Sequence, residues 1–393
     1  MLQDDFYRHL ARTADEAVDM EITHAEGVWL YGPGDRAWID FISGICVTNV
    51  GHGAPEVVAA VKEQAGRYLH AHVYGEAILS PQVRYATRLA EVLGPGLDHV
   101  YFTNSGAEAI EGALKVAKKY TGRSRAVAFH NAYHGSTHGA LSLTGNTAMK
   151  YGYGPLLPRI SHLPFNDIEA LSVISDKTAA VFMEVIQGAG GAVLPDPAFL
   201  RAVRQRCDET GALLVLDEIQ TGFGRTGTLW AHQAYDLRPD ILVLAKALGG
   251  GLPLGAFIGR EEVLSVIRRD PPLGFITTFG GHAMACAAGL AALNKIIEED
   301  LPKRVFGLEA ILKQRLQHPA IQELRGRGLL YAALFKDRDM AERVRLACLQ
   351  GGLLTIGFLS IDHGLRISPP LTMTEEEMHL ACDRFLVAVE TAS

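Results

Sequence analysis

The chain has 393 residues, of which 48% are hydrophobic and 21% are charged, the balance of an ordinary soluble globular protein. This length suits one large and one smaller domain better than a single core. The formal charge of −7 predicts no general attraction to nucleic acid or to an anionic membrane. No apolar run is long enough to span a bilayer, and the opening "MLQDDFYRHL" lacks the apolar core of a signal peptide.

The cysteines are scattered along the chain and show no CxxC spacing. They are Cys46, Cys207, Cys286, Cys348 and Cys382. An odd number without paired spacing argues against a disulfide framework or a zinc site. The pattern therefore predicts reduced thiols and a cytoplasmic protein.

Apolar stretches with strand character alternate with helical stretches through the middle of the chain. The predicted strands are 99–104, 125–131, 179–185, 212–218 and 240–246. Helices are predicted over 106–120 and 197–211. This alternation predicts an α/β fold with a largely parallel sheet.

The pattern changes at about residue 300 to shorter helices and strands that end in a helix at the C-terminus. We therefore expect a large domain over residues 51–295 and a smaller α+β domain over 296–393. Residues 1–50 are expected to pack with the small domain.

Four of the predicted strands close on polar residues, namely Asn104, Glu184, Asp217 and Lys246. In open α/β sheets, ligands bind beyond the carboxyl ends of the strands. We expect these four side chains to converge on one pocket.

The stretch "FTNSGAEAIEGALK" predicts an anion site at a helix start. Ser105 followed by Glu108 has the spacing of a capping box. Gly106 and Ala107 leave the first backbone amides of the helix open to close approach. Free N–H groups and the helix dipole both favour a phosphate there, although most capping boxes belong to plain surface helices.

In "LLVLDEIQTGFGRTG", Asp217 and Glu218 stand side by side at a strand end. Alternation sends them to opposite faces, so one faces the pocket and the other faces the helix layer. A carboxylate in a low-dielectric site needs a cationic or proton-donating partner. The alternative is that both merely cap the next turn.

The same stretch matches G-x-G-x-x-G over Gly222–Gly227. A dinucleotide fingerprint opens a helix in the first βα unit, whereas this one lies in mid-chain before "TLWAHQAYD", a poor helix. Nicotinamide binding is disfavoured.

His130, His134 and His138 are spaced by four, which on a helix would suit zinc. The intervening Asn, Gly, Ser and Thr make a poor helix, so we predict no metal site. Tyr133 and His134 are better explained as a strand-end pair that touches a planar ligand.

Lys246 ends the apolar stretch "DILVLAK" and is followed by "ALGGG". Desolvation lowers the pKa of a lysine and makes its neutral, nucleophilic amine accessible. A lysine for a Schiff base, an acid for a ring nitrogen and a helix start for a phosphate together describe a pyridoxal phosphate site.

The motifs "FTNSGAEA", "LLVLDEIQTGFGRTG", "LAKALGGGLPLGA", "TTFGGHAMACAAGLAAL" and "LRISPPL" resemble those of class III aminotransferases, which include acetylornithine, ornithine and 4-aminobutyrate aminotransferases. The resemblance covers nearly the whole chain. It implies fold type I, with a mostly parallel seven-stranded sheet flanked by helices and a smaller second domain.

The resemblance also implies roles for residues around the cofactor ring. Lys246 would form the Schiff base and move the proton, and Asp217 would keep the pyridine nitrogen protonated. Gln220 would reach the phenolic oxygen, with Ile219 against one ring face and Tyr133 against the other.

Further implied roles concern the phosphate and the substrate. Ser105, Gly106 and Ala107 would bind the phosphate, together with Thr278 of the other subunit of a homodimer. Glu184 would support the cofactor network. Arg366 would grip the substrate carboxylate, because its fork suits the planar anion.

Two positions depart from the family pattern. Ser136 replaces the arginine that grips a distal carboxylate in acetylornithine and ornithine enzymes. Ala189 replaces the glutamate that pairs with the arginine equivalent to Arg366 in many ω-amino-acid enzymes. We therefore expect a donor other than acetylornithine, and the substrate-facing positions are Arg366, Ser136 and Ala189.

The function predicted from the sequence is a ping-pong aminotransferase that moves an amino group from an amino acid or amine to an oxo acid or aldehyde. A racemase or epimerase on the same scaffold needs the same lysine and acid, so the motifs leave it open. A nicotinamide oxidoreductase and a binding module without catalysis are the less favoured alternatives.

Overall fold

The computed structural model describes residues 2–15, 18, 20–73 and 75–393. Its helices in this part of the chain are α1 (Leu2–His9), α2 (Ser43–Cys46), α3 (Pro55–Arg67), α4 (Ser80–Leu93), α5 (Gly106–Thr121), α6 (His138–Leu143), α7 (Pro197–Thr210), α8 (Glu261–Leu264), α9 (Ala283–Glu298), α10 (Leu301–Arg315), α11 (Arg338–Gln350) and α12 (Glu375–Ala392).

The strands fall into three sheets among the described residues. They are β1 (His24–Glu26), β2 (Trp29–Tyr31), β3 (Ala37–Asp40), β4 (His99–Thr103), β5 (Arg125–Phe129), β6 (Ile160–Leu163), β7 (Thr178–Glu184), β8 (Leu213–Asp217), β9 (Ile241–Leu244), β10 (Gly255–Gly259), β11 (Glu323–Arg327), β12 (Leu330–Leu334), β13 (Leu353–Leu354) and β14 (Gly364–Ile367).

The largest sheet has seven strands in the described part of the chain, in the order β4-β10-β9-β8-β7-β5-β6. Strand β10 runs antiparallel to β4 and β9, whereas β9, β8, β7, β5 and β6 pair in parallel. The mostly parallel α/β sheet predicted from the sequence is therefore confirmed. The sequence prediction had not included β6 and β10.

Alternating side chains of the central strands enter different hydrophobic cores. Val215 and Val243 pack in one core with the apolar face of α5. Leu214 and Leu216 belong to the other core, with Phe199 of α7. Both faces of the sheet are covered, which explains why these strands are apolar throughout.

The predicted strand over 240–246 ends earlier than expected. Strand β9 stops at Leu244, and Lys246 begins a 3₁₀ turn with φ of +52°. A residue other than glycine in this left-handed region is uncommon and costs backbone energy. Lys246 therefore projects from a turn beyond the strand rather than from its last residue.

The glycines after Lys246 serve different purposes. Gly250 has φ of +59°, and a Cβ there would lie 2.7 Å from the carbonyl oxygen of Ala288 in α9. Gly251 has φ of +104°. The chain therefore turns sharply at these glycines, and at Gly250 it lies close to the backbone of a helix.

The N-terminal and C-terminal parts of the chain share a small sheet. Strand β13 pairs in parallel with β3, which continues to β2 and β1. Strands β11, β12 and β14 form a third sheet. The division at residues 50 and 295 stays a prediction, and positions 1, 16, 17, 19 and 74 lie outside the described residues.

The G-x-G-x-x-G stretch is a packed turn centred on Arg225, whose side chain is fully buried. Its guanidinium donates to Ser43 Oγ (2.9 Å), to the Leu329 carbonyl (3.1 Å) and to the Pro369 carbonyl. The stretch leads into a 3₁₀ turn, Ala231–Tyr235, so the expectation that no α-helix follows it is confirmed. The turn joins distant segments of the chain.

The five cysteines are all buried and form no disulfides. In the described ranges, no group of three His, Cys, Asp or Glu side chains is arranged to hold a metal ion. No described helix has both the length and the apolar character needed to cross a membrane.

Candidate active site

A cavity of about 520 Å³ lies beyond the carboxyl ends of β7 and β8, at the start of α5. The predicted residues that line it are Ser105, Gly106, Ala107, Tyr133, His134, Ser136, Glu184, Asp217, Ile219, Gln220 and Lys246. Asn104 also lines it, so the four polar residues predicted to converge do share one cavity.

The start of α5 forms one wall of this cavity. Ser105 is the N-cap, and its Oγ accepts a hydrogen bond from the Glu108 N–H at 3.2 Å. A Cβ at Gly106 would lie 2.7 Å from Ile219 Cδ1, so glycine allows Ile219 to pack over the helix start. The helix start can therefore receive an anion next to Ile219.

The second half of the predicted capping box differs. Glu108 Oε2 accepts from the Asn104 N–H at 2.8 Å, one residue before the N-cap. The Asn104 side-chain amide also donates to this carboxylate and to Thr277 Oγ1, at 2.9 and 2.7 Å. The backbone N–H and the side-chain amide of Asn104 therefore explain why the Glu108 carboxylate binds Asn104 instead of the Ser105 N–H.

Asp217 and His134 form a buried pair. Asp217 Oδ2 lies 2.8 Å from His134 Nδ1, and Asp217 Oδ1 accepts from the Ile219 N–H at 3.0 Å. Burial lowers the pKa of His134, but the hydrogen bond and charge of Asp217 outweigh burial, and the net shift is upward. The carboxyl group of Asp217 is therefore held inside the protein by the imidazole at one oxygen and by a backbone N–H at the other.

Glu218 faces away from this pair, as alternation along the strand predicts. It is fully buried and accepts from the backbone N–H groups of Ala231 and His232. Its Oε1 also lies 2.6 Å from His232 Nδ1. Glu218 thus caps the next turn, while Asp217 lines the cavity.

Lys246 lines the same cavity. Burial lowers the pKa of this amine, and the charge of Arg366 acts in the same direction, whereas Cys46, Asp217 and Glu184 oppose it. The net shift favours the neutral form, which is the nucleophilic one.

Glu184 is a buried carboxyl group in the cavity wall. Its oxygens accept from the backbone N–H groups of Tyr133 (3.2 Å) and Gly188 (3.1 Å). Burial raises the pKa of Glu184 to about 7; the charge of Asp217 adds to the rise, while His134 and the two backbone hydrogen bonds oppose it. Glu184 therefore titrates near neutral pH.

Arg366 reaches the edge of the site from β14. Its Nη1 donates to Gln220 Oε1 at 2.7 Å, and its Nη2 lies 3.5 Å from the Gly188 carbonyl oxygen. The Phe358 ring lies 4.7 Å from the guanidinium carbon. Burial lowers the pKa of Arg366, although Cys46 and Glu184 oppose this shift.

Tyr133 and Ser136 make a pair of hydroxyl groups at the cavity, with their oxygens 3.1 Å apart. The chain around them is not helical until His138, which begins α6. His134 is buried against Asp217, whereas His130 and His138 are exposed. The three histidines therefore do not share a helical face.

Two predicted residues lie elsewhere. Ala189 is buried, and its carbonyl accepts from the Ser360 N–H at 3.1 Å. Thr278 is exposed and borders a separate small pocket beside Leu69 and Phe279.

Several cavity residues were not predicted from the sequence. They are Val47, Gly135, Ile186, Thr221, Ala245, Gly251, Leu252, Pro253 and Leu254. Val47 follows α2, where Ser43, Gly44, Ile45 and Cys46 all have positive φ. The serine and glycine of "FISGIC" are the local signal that would have indicated an unusual turn there.

Comparison with known proteins identifies the family. The sequence profile described as aminotransferase class-III matches residues 10–389. The ornithine aminotransferase of Toxoplasma gondii ME49 is similar in structure, with a TM-score of 0.91, 30% identity, and coverage of 99% of this chain and 94% of that chain.

Two further solved structures are similar over nearly their whole length. An amine transaminase from an uncultivated Pseudomonas species, with PLP bound, gives a TM-score of 0.90 at 26% identity, covering 98% of each chain. An (S)-enantioselective omega-transaminase from Thermomicrobium roseum gives 0.91 at 29% identity, covering 99% of this chain and 98% of that chain.

The chain belongs to the class III aminotransferases, which are pyridoxal phosphate-dependent enzymes of fold type I. The family and the fold predicted from the sequence are confirmed, and so is aminotransferase activity as the class of reaction. The comparisons do not favour a racemase or epimerase.

Glu184 generates a testable pH dependence. Its pKa in the folded protein, about 7, lies above the value of about 4.3 expected for an unfolded chain. The folded state therefore binds more protons than the unfolded state between these two pKa values. The contribution of Glu184 to stability is thus complete below about pH 4.3 and is lost as the pH rises through about 7. Urea denaturation of the cofactor-free protein measures this effect. Between pH 5 and pH 8, we expect the free energy of unfolding to fall less in Glu184→Gln than in the wild-type protein. Parallel curves for the two proteins would contradict this assignment.

Proposed function

We propose that this cavity is where the chain transfers amino groups, with Lys246 as the catalytic amine and Asp217 as the acid that would partner the ring nitrogen of the cofactor. The observation that carries the proposal is that Lys246, the buried Asp217–His134 pair and the start of α5 line one cavity. Lys246 suits an aldehyde, the Asp217–His134 pair suits a ring nitrogen and the start of α5 suits a phosphate. Pyridoxal phosphate presents these three groups.

The donor set of the cavity fits this cofactor. The α5 start offers open backbone N–H groups at Gly106 and Ala107, next to the N-cap Ser105. His134 Nε2 has no hydrogen-bond partner in the described residues, while its Nδ1 faces Asp217. When bound, pyridoxal phosphate supplies a carbon that condenses with amines and a ring that withdraws electrons from the substrate Cα.

Each residue then has a defined task. Asp217, held by His134, would keep a proton on the ring nitrogen. The lowered pKa of Lys246 would let its Nζ accept the proton from the substrate Cα and deliver it to the aldehyde-derived carbon of the cofactor. Ile219 and Tyr133 would hold the ring from its two faces.

Arg366 would bind the substrate carboxylate at the edge of the site. Its buried guanidinium, with a neutral amide as its side-chain hydrogen-bond partner, would gain from an anionic ligand. The same residues would serve both halves of a ping-pong reaction, first with an amino donor and then with an oxo acid or aldehyde.

The substrate is proposed to differ from acetylornithine. Binding of a distal substrate carboxylate would need a cationic side chain. This position instead has the neutral hydroxyl groups of Tyr133 and Ser136, whose oxygens lie 3.1 Å apart. Ala189 supplies no charge beside Gly188, whose carbonyl oxygen faces Arg366.

A donor-by-acceptor activity screen tests the function and the specificity together. We expect the purified holoenzyme to transfer amino groups to an oxo acid from a subset of donors and to act at least about tenfold more weakly on acetylornithine, since each lost charge-assisted contact is worth a factor of this order. Lys246→Ala is the control and should be inactive. Strong turnover of acetylornithine with 2-oxoglutarate would overturn the specificity, and full turnover by Lys246→Ala would overturn the mechanism.

We further propose that the chain works as a cytoplasmic homodimer in which Thr278 of each subunit contacts the phosphate bound by the other. Exposed apolar side chains cluster in sequence around Thr278, including Leu273, Ile276 and Phe279 with exposed fractions of 61%, 51% and 56%. Exposed apolar groups of this kind commonly mark an interface. The five buried free thiols suit a reducing compartment.

Light scattering tests the dimer. We expect a mass of twice the 42.5 kDa chain for the wild-type protein, and a shift towards the single chain for Phe279→Glu because a charge would enter the apolar contact. Val387→Glu, at a similarly exposed apolar position on α12, is the matched control and should keep the wild-type mass. A wild-type mass of one chain would contradict the proposal.

A further inference from the structure

We propose that Gln220 sets carboxylate specificity: its amide oxygen holds the Arg366 guanidinium in the absence of a ligand and gives way to the carboxylate of a substrate. The inference deepens the proposed function and rests on its assignment of Arg366 as the carboxylate-binding residue. It gives Gln220 a role separate from any contact with the cofactor.

The hydrogen bond between the two side chains has one possible orientation. A guanidinium nitrogen can only donate, so the atom 2.7 Å from Arg366 Nη1 is the amide oxygen of Gln220. The amide nitrogen of Gln220 is consequently left for other partners in the cavity that Gln220 lines. One amide group thus connects Arg366 with the cofactor cavity.

The hydrogen bonds of the Arg366 side chain go to neutral groups, although the charge of Glu184 also acts on the guanidinium. The side chain is 3% exposed, and its hydrogen bonds in the described residues go to Gln220 Oε1 and, at 3.5 Å, to the Gly188 carbonyl. Its Nε has no hydrogen-bond partner among the described residues, and the Phe358 ring lies 4.7 Å from Cζ. A buried cation in this setting is under-satisfied, which favours an incoming anion.

A neutral acceptor is easier to displace than a carboxylate. A carboxylate carries a full negative charge and can accept two parallel hydrogen bonds from the guanidinium fork, whereas the amide of Gln220 offers one neutral oxygen, so a substrate carboxylate outcompetes it. If a carboxylate held Arg366 instead, each substrate would have to break a buried ion pair. Gln220 therefore leaves Arg366 available to the donor and to the acceptor.

The backbone at Gly188 keeps the amide in place. A Cβ at this position would lie 2.6 Å from Gln220 Oε1 and 2.8 Å from its Cδ, so the absence of a side chain allows the amide to lie flat against the loop. Gly188 also donates its N–H to Glu184 Oε1 at 3.1 Å. The loop that follows β7 thus positions both Gln220 and the Gly188 carbonyl around Arg366.

The test measures binding of 2-methylpropanoate, a carboxylate without an amine, to the holoenzyme through the change in cofactor absorbance. We expect Gln220→Glu, which replaces the amide by a carboxylate of the same shape, to raise the dissociation constant about tenfold or more, because the ligand would then have to displace a buried ion pair instead of a neutral amide oxygen. Gln233→Glu is the matched control, because Gln233 accepts from the Trp230 N–H rather than from Arg366, and it should bind as the wild-type protein does.

A second variant keeps the proposal falsifiable if Gln220→Glu does not fold, which thermal unfolding will show. Gln220→Leu removes the competing oxygen, so 2-methylpropanoate should bind at least as tightly as to the wild-type protein. Weaker binding to Gln220→Leu would overturn the proposal, because it would show that the amide supports Arg366 instead of competing for it.

Arg366→Gln separates this inference from the proposed function. If the wild-type protein and Arg366→Gln bind 2-methylpropanoate equally, the assignment of Arg366 fails. If Arg366→Gln loses binding but Gln220→Glu binds as the wild-type protein does, the assignment of Arg366 stands and the role of Gln220 is wrong.

Discussion

The site depends on keeping several charged groups together where little water reaches them. Asp217, Glu184 and Arg366 are each less than about a tenth exposed, with fractions of 4%, 5% and 3%. Such groups are costly to bury unless each finds a partner or loses its charge. Asp217 has His134, Arg366 has Gln220, and Glu184 has two backbone N–H groups and a raised pKa. These partners fix the relative positions of the side chains around Lys246.

Strained backbone surrounds the same cavity. Lys246 has φ of +52°, and the four residues of α2 before Val47 all have positive φ. Left-handed conformation costs residues other than glycine roughly 1–2 kcal/mol each. The buried Arg225 opposes this cost at α2, because its guanidinium donates to Ser43 Oγ while also holding the Leu329 and Pro369 carbonyls. Packing between distant segments thus stabilises the turn before Val47, which lines the cavity.

Local patterns in the sequence predicted the features that depend on neighbouring residues. The apolar runs of β7 and β8, the N-cap at Ser105 and the opposite directions of Asp217 and Glu218 all follow from short-range rules. The link between Gln220 and Arg366 joins residues 146 positions apart, and no local pattern encodes it. Glu108 is a local exception: it accepts from the backbone and side-chain amides of Asn104, four residues before it, rather than from the N-cap N–H that the capping-box pattern predicts. The sequence also could not indicate the turn at Lys246, since its φ follows from packing of the next residues against α9.

The proposed transfer of amino groups requires that Lys246 bond the cofactor. Borohydride reduction of the holoenzyme, followed by proteolysis and mass spectrometry, tests this bond directly, because reduction makes a Schiff base permanent. We expect the mass of the reduced cofactor on the peptide that contains Lys246 and at no other lysine. Labelling of a different lysine, or of none, in protein that carries the cofactor would contradict it.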